Sequence, residues 1–269
     1  MKAFFHIILA AMLAIVTIGC GQSDEERQRL SRAEKDSLRR IDSASLKIGV
    51  LPTEDCLPII VAEQLRLFDT LGVSVHLKRY HAISECRIAL TNKLVEGAVI
   101  DTLLMNILNK ERPWLYAAMR TPMRWQFLTA KKARIARWNQ MGDKMIAADS
   151  HGLSHVLAEQ VNDTLRKQKK QAFIIQVEDL KVRTEMLITG NVDAALLPEP
   201  FATQARKEGA NVIDIKTGHS EAGVVAMRTG GMNNAERQKQ QRLFLKATAI
   251  ANDSIKRYGK TNYLKMLQW

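Results

Sequence analysis

From Leu46 onward, short apolar segments alternate with segments whose apolar residues recur at helical spacing. The first apolar segment, LKIGVL, ends at Pro52, and a helix-patterned stretch, IIVAEQLRLF, begins directly after Pro58. A repeated succession of strand and helix predicts a mainly parallel sheet with helices on both faces. This rhythm places the chain in the α/β class.

The same succession returns further along the chain. The segments CRIALTNKLVEGAVIDTLL (86–104) and VRTEMLITGNVDAALLPEP (182–200) each run from a helix through a break to a short apolar strand and a loop. We therefore expect two lobes on one plan. Lobe 1 is predicted to span residues 46–127 plus 223–269, and lobe 2 residues 128–222.

Two strands are predicted to cross between the lobes, WQFLTA (125–130) and AGVVAMR (222–228). A long final helix should then pack on the first lobe. Asn234 is expected to cap this helix and Gly259 to end it. Gly190 is expected to close an earlier helix in the same way.

The first 19 residues have the composition of a secretory signal, with Lys2 at the start, an apolar run at 4–16 and small Gly19 before Cys20. The run is shorter than the roughly 20 residues that a membrane-spanning helix needs. The ending TIGC resembles a bacterial lipobox, in which Cys20 becomes the diacylated N-terminus. Ordinary cleavage that leaves a free cysteine is the alternative.

Residues 20–45 are polar and charged, which predicts a flexible tether between the acylated cysteine and the folded body. We therefore expect a lipoprotein on the periplasmic side of a membrane. The formal charge of +12 admits nucleic acid, anionic lipid or anionic solutes as partners. Export argues against nucleic acid, and no zinc-finger spacing, Walker loop or RNA-binding signature is present.

Two further cysteines, Cys56 and Cys86, form an even pair in an exported chain, which predicts a disulfide. Zinc binding by this pair with His81 is the alternative, but the spacing is not that of a zinc site. His151 and His155 have i, i+4 spacing without the glutamate of an H-E-x-x-H motif. We expect neither a metal nor another cofactor.

The segment LKIGVLPTEDCLPIIVAEQLRLFDTLGVSVHLKRY (46–80) resembles the opening of periplasmic substrate-binding proteins of the nitrate, sulfonate/taurine and thiamine-precursor type. VDAALLPEPFATQARKEGANVI (192–213) is similar to the second-lobe signature of that family, and DKMIAADSHGLSHVLAE (143–159) to the opening of its second lobe. The resemblance implies a type 2 periplasmic-binding-protein fold and a monomer that passes a small molecule to an ABC transporter permease, without catalytic residues.

Ligands of such folds bind beyond the carboxyl ends of the strands, where the lobes face each other. Candidate ligand contacts are therefore the residues just after the predicted strands and at the following helix starts. They are Thr53, Glu54, Asp55, Ser84, Glu85, Asp101, Thr102, Trp125, Ser150, His151, Gly152, Ser154 and Glu199. Ser84 and Ser150 are expected to begin helices whose free amides would suit an anionic group.

Each candidate has a structural alternative. The two serines cap helices with or without a ligand, and the acidic loop 53–55 is a solvated turn on that interpretation. Trp125 either fills the space between the lobes or stacks on a planar ligand. His151 is a surface histidine, and Glu199 orders its own loop. The acidic residues of the first lobe depart from relatives that bind simple anions. They favour a ligand with a cationic or hydrogen-bond-donating part.

The sequence is compatible with three functions. The leading one is a solute receptor for an importer. A sensory or surface-displayed module that binds a ligand without transport is the second. An enzyme of the thiamine-pyrimidine type on the same fold is the third, although the cysteine-rich motif of that group does not occur in this chain.

Overall fold

A computed structural model describes residues 35–37, 42, 44–214, 222–231 and 234–269. The predicted signal at 1–19, the lipidation at Cys20 and most of the predicted tether at 20–45 lie outside the described residues. Ser45–Trp269 forms one unit, which holds two five-stranded sheets.

The strands are short; the inner strands of each sheet are largely buried, and the edge strands are partly exposed. In chain order they are β1 (Leu46–Val50), β2 (Val75–Arg79), β3 (Gly97–Asp101), β4 (Leu115–Thr121), β5 (Trp125–Thr129), β6 (Met145–Ala148), β7 (Phe173–Gln176), β8 (Ala194–Pro198), β9 (Asn211–Ile213) and β10 (Gly223–Arg228). The first sheet has the order β2-β1-β3-β10-β4 and the second the order β7-β6-β8-β5-β9.

Each sheet combines a parallel half with antiparallel strands. In the first, β1 pairs in parallel with β2 and β3, and β10 runs antiparallel between β3 and β4. In the second, β6 pairs in parallel with β7 and β8, and β5 runs antiparallel between β8 and β9. Strand β5 follows β4 but joins the other sheet, and β10 follows β9 but joins the first. The chain thus crosses between the sheets twice.

Helices fill the connections between the parallel strands. They are α1 (Leu57–Gln64), α2 (Leu67–Thr70), α3 (Ile83–Thr91), α4 (Thr102–Leu108), α5 (Leu153–Arg166), α6 (Leu180–Thr189), α7 (Phe201–Lys207) and α8 (Ala235–Tyr258). The last helix packs on α1, and its Phe244 stacks on Phe68 with ring centroids 5.7 Å apart. No helix in the described parts of the chain is long and apolar enough to cross a bilayer.

The predicted α/β architecture with two sheets and two crossing connections is confirmed. Both ends of α8 are also as expected, because the Asn234 side chain accepts from the Glu236 and Arg237 amides at its start and Gly259 follows its last turn. Gly190 ends α6 in the left-handed conformation, with φ of 77°. Glycine adopts this conformation without steric cost.

Two predicted helix starts are wrong. Helix α3 begins at Ile83, so its N-cap is Ala82, and Ser84 lies inside the first turn. Helix α5 begins at Leu153, three residues after Ser150, because Gly152 occupies the N-cap with φ of 110°. Helix starts are poorly marked in a sequence when glycine or alanine takes the place of a capping side chain.

The predicted disulfide is also wrong, because Cys56 and Cys86 are both free and buried. The Cys56 sulfur is engaged locally and accepts from the Leu51 amide at 3.3 Å and the Thr53 hydroxyl at 3.5 Å. Burial raises the pKa of both thiols, so they stay protonated. Both cysteines act as small apolar groups within the hydrophobic core.

We predict that both thiols resist labelling in the native protein and react fully in denaturant without any reductant. Peptide mass spectrometry of an iodoacetamide-treated sample identifies the labelled positions. A sample prepared without reductant whose Cys56 and Cys86 peptides stay unlabelled in denaturant, and become labelled only after reduction, would contradict the free thiols.

Candidate functional site

The two sheets meet through the loops that follow their parallel strands. The loop after β1 donates from the Glu54 amide to the Glu199 carbonyl at 2.9 Å, and the loop before α3 accepts at the His81 carbonyl from the Leu180 amide at 3.3 Å. We call this contact region the junction. It joins carboxyl ends of strands from both sheets, which is where open α/β sheets place ligands.

Asp101, at the end of β3, links helices of the two halves. Its side chain is fully buried, and its carboxylate accepts from the Leu104 amide of α4 at 2.7 Å and from the Leu153 amide of α5 at 3.2 Å. Both amides lie in the first turns of their helices, where an anion is stabilised. Burial raises the pKa of Asp101 although these amide bonds oppose the rise.

Gly152 makes the approach of Asp101 possible. A Cβ on this residue would lie 2.7 Å from the Asp101 carboxylate, closer than real Cβ contacts come. Its φ of 110° is also rarely adopted by other residues. The contact between the two halves therefore requires glycine at this position.

Arg183, on α6, is the largest fully buried polar side chain of the junction, at 1% exposure. Its guanidinium donates to the carbonyls of Val177 at 2.7 Å, Leu196 at 3.0 Å and Glu178 at 3.4 Å. It also lies 5.7 Å from the ring centroid of Trp125, within cation–π range. Arg183 thus fixes the end of β7 and the middle of β8 against Trp125, the first residue of β5.

Asp149 follows β6 and is 2% exposed. Its amide donates to the Ser154 hydroxyl at 3.0 Å, but neither carboxylate oxygen has a hydrogen-bond partner among the described residues. Burial raises its pKa to about 7, against the lowering effects of Arg183 and of the nearby Ser154 hydroxyl. A buried carboxylate without a donor is costly and is the exception in native structures.

Two further polar atoms of the junction lack partners. The carboxylate of Glu178 accepts from the Ser150 amide at 2.8 Å through one oxygen, and its other oxygen is buried and unpartnered. Burial alone would raise the pKa of Glu178, but bonds from Ser150 and Ser84 prevail and lower it. The indole nitrogen of Trp125 is also buried without an acceptor. Ser84, in the first turn of α3, therefore lies close to Glu178.

A cavity of about 1010 Å³ opens beside the junction, between the crossing from β4 to β5 and helix α8. Asp55, Thr121 and Trp125 line its buried part. The Thr121 hydroxyl donates to Asp55 at 3.1 Å, and burial raises the pKa of Asp55. A volume of this order suits a small organic molecule.

Charged pairs border the cavity. Lys260 donates to the Glu54 carboxylate at 2.6 Å. The Glu199 carboxylate accepts from Gln126 at 2.8 Å, from Arg206 at 2.8 Å and from the Thr203 amide. Burial alone would raise the pKa of Glu199, but these hydrogen bonds prevail and lower it.

The structure brings most of the sequence candidates to the junction. Those in it or at its edge are Glu54, Asp55, Ser84, Asp101, Trp125, Ser150, Gly152, Ser154 and Glu199.

The remaining candidates serve other contacts. Thr53 is buried and donates to Cys56, and the Thr102 amide donates to the Ala222 carbonyl at 2.7 Å. Glu85 is exposed and accepts from the His81 and Ala82 amides before α3. His151 is exposed and contacts Ser150.

Sequence reasoning missed Asp149, Glu178 and Arg183. Asp149 and Glu178 stand just after β6 and β7, in the kind of position that suggested the other candidates, so the pattern could have included them. Arg183 lies within a helix pattern that mixes charged and apolar residues, where an arginine is normally solvent-exposed. In the parts of the chain that the structure describes, no group of three or more His, Cys, Asp and Glu side chains is placed to hold a metal ion.

The chain shares its fold with solved substrate-binding proteins. A ligand-binding component of an ABC-type import system from Staphylococcus aureus, with zinc bound, superposes with a TM-score of 0.66 at 13% identity over 83% of this chain and 78% of that one. The alkanesulfonate-binding protein SsuA from Xanthomonas axonopodis pv. citri, bound to MOPS, gives 0.67 at 16% identity over 83% and 78%.

An amino acid ABC transporter substrate-binding protein from Streptococcus pneumoniae, bound to L-arginine, gives 0.58 at 16% identity over 86% and 96%. The resemblance predicted from the sequence is thus confirmed as a shared periplasmic-binding-protein fold. No protein-family model matches the chain, and no curated protein is similar to it in sequence.

We predict that Asp149→Asn stabilises the protein at high pH. The folded-state pKa of Asp149 lies above its ordinary value of 3.8, so the ionised carboxylate destabilises the fold at pH above about 7, and the cost fades as the pH falls toward 4. The shift corresponds to a cost of at most roughly 4 kcal/mol. In urea titrations, the variant should therefore gain about 1–4 kcal/mol at pH 8.5 and much less at pH 5.

Asp163→Asn is the matched control, because Asp163 is exposed on α5 and paired with Arg166. It should change stability by less than about 1 kcal/mol at either pH. Equal stabilities of Asp149→Asn and the unaltered protein across this pH range would show that Asp149 is not buried as described.

Proposed function

We propose that this protein is an extracytoplasmic solute-binding lipoprotein that captures a small molecule between two lobes and delivers it to an ABC-type importer. The observation that supports this most directly is the junction itself. Four buried polar atoms of Trp125, Asp149 and Glu178 have no hydrogen-bond partner among the described residues, where strand ends of the two sheets meet. A ligand that supplies those partners stabilises the closed arrangement.

The same unpartnered atoms make closure of the lobes depend on a ligand. Each unsatisfied buried polar group costs about 1–3 kcal/mol, so the empty closed junction is at a disadvantage relative to an open one that water can reach. A ligand that contacts both lobes only in the closed state shifts this equilibrium by its differential affinity. The two crossings between the sheets are the natural hinge.

The proposal assigns residues 46–127 plus 223–269 to lobe 1 and 128–222 to lobe 2, although β5, from Trp125, already belongs to the second sheet. Ligand contacts are proposed for the candidates that lie in the junction and for Asp149 and Glu178. The protein is proposed to act as a monomer and without catalysis. The solved structures of this fold reported above are likewise named as binding components.

A thermal-shift screen against amines, amino acids, sulfonates, vitamins and their precursors tests solute capture, because a ligand stabilises the folded state by RT ln(1 + [L]/Kd). We expect a hit that raises Tm by several degrees and reduces the radius of gyration in X-ray scattering. A library without any hit would contradict the proposal.

Gly152→Ala should weaken binding of that hit at least tenfold, because the added Cβ meets Asp101 and keeps the lobes apart. Gly72→Ala is the matched control, since Gly72 also has a positive φ, of 69°, but a Cβ there meets nothing within 4 Å. Isothermal titration calorimetry measures both. Equal losses in the two variants would trace the effect to backbone strain rather than to the junction.

The lipid anchor is part of the same proposal. We expect a palmitate analogue fed to expressing cells to label the unaltered protein, and Cys20→Ala to abolish both the label and membrane attachment. Label that persists in Cys20→Ala would place the acyl group elsewhere. For delivery to an importer, deletion of the gene should abolish accumulation of the radiolabelled hit.

A further inference from the structure

We propose that the ligand carries a nitrogen cation, as in an ammonium, a guanidinium or a protonated amino-heterocycle, which donates to the carboxylates of Asp149 and Glu178 when the lobes close. The inference rests on the proposed function, since it takes the junction to be the ligand site. It names the chemistry that the ligand must bring.

The charges around Asp149 do not balance. Among the ionisable groups that act on this carboxylate, Asp101 and Glu178 are acidic and Arg183 is basic. Three carboxylates therefore accompany one guanidinium, and of these groups Asp101, Asp149 and Arg183 are buried while Glu178 is half-buried. Buried charges in proteins are normally compensated, so the unbalanced side of the junction is suited to a cation.

Arg183 does not provide the missing donors. The three hydrogen bonds of its guanidinium all go to backbone carbonyls, those of Val177, Glu178 and Leu196. Both oxygens of Asp149 and one oxygen of Glu178 are left without a donor among the described residues. These acceptors match the N–H groups of an ammonium or guanidinium, which form the stronger charge-assisted hydrogen bonds.

An anion has no comparable place here. The first turn of α5 is where an anionic group would bind, but the Asp101 carboxylate already accepts from the Leu153 amide. The protein's own carboxylate thus fills the position that the sequence suggested for an anionic ligand. The Trp125 indole is an unpartnered donor among the described residues of the junction, and it requires a single acceptor atom of the ligand.

Matched pairs of probes that differ in the cation test this inference. The pairs are putrescine and 1,4-butanediol, taurine and isethionate, and 4-aminopyrimidine and 4-hydroxypyrimidine. They are screened by thermal shift together with nitrate, sulfate and the library of amines, amino acids, sulfonates, vitamins and their precursors. We expect every compound that raises Tm to carry a protonatable or cationic nitrogen. Within a pair that binds, the amino member should bind at least 100-fold more tightly in calorimetry.

Variants then connect the cation to its acceptors. Asp149→Asn should weaken the best hit at least 100-fold and Glu178→Gln at least tenfold, whereas Asp163→Asn should leave its Kd within twofold. Because Asp149→Asn is expected to stabilise the fold, lost binding in this variant is not explained by unfolding, and its melting curve checks that directly.

Each result bears on the inference. A best hit without a nitrogen cation, or one whose Kd is unchanged by Asp149→Asn, would overturn the inference while leaving solute capture intact. A screen with no hit of any class would overturn solute capture and the inference with it. A cationic hit that depends on Asp149 and not on Asp163 supports both.

Discussion

The junction is organised around one guanidinium placed where it cannot reach water. Arg183 donates to the carbonyls of Val177, Glu178 and Leu196, and thereby positions the end of β7, the middle of β8 and one face of Trp125. Burying a guanidinium is expensive unless its donors are satisfied, so these strand residues have little freedom to move apart. The groups beside these strand residues are therefore held rigidly as well.

Rigid surroundings explain why unpartnered groups persist beside Arg183. A flexible loop would turn the carboxylates of Asp149 and Glu178 toward solvent or toward nearby N–H and O–H donors. Here the backbone that carries them is held in place. A local energetic cost at a site of this kind is common where binding supplies the compensation, and stability is provided by the hydrophobic core.

Much of the fold was predictable because periodicity reports burial directly. Buried strands such as β1 and β8 read as apolar runs, and Asn234, Gly190 and Gly259 mark helix ends by side-chain or backbone chemistry. The helix starts near Ser84 and Ser150 were misplaced because Ala82 and Gly152 leave no such mark.

The candidate site was predictable only in part. Residues after strands were found because topology places them at the junction, whereas Arg183 reaches it by the packing of α6, which no local pattern encodes. The cysteine pair misled for a related reason. Export and an even number of remaining cysteines favour a disulfide, but the bond depends on where the two residues lie in three dimensions. The Cys56 sulfur instead accepts from the Leu51 amide and the Thr53 hydroxyl.

The pair between Lys260 and Glu54 has a practical consequence. Glu54 offers its backbone amide to Glu199 across the junction and its carboxylate to a lysine near the chain terminus. A dye coupled beside Lys260 would therefore lie close to a contact between the two sheets, and its fluorescence could report whether the site is occupied.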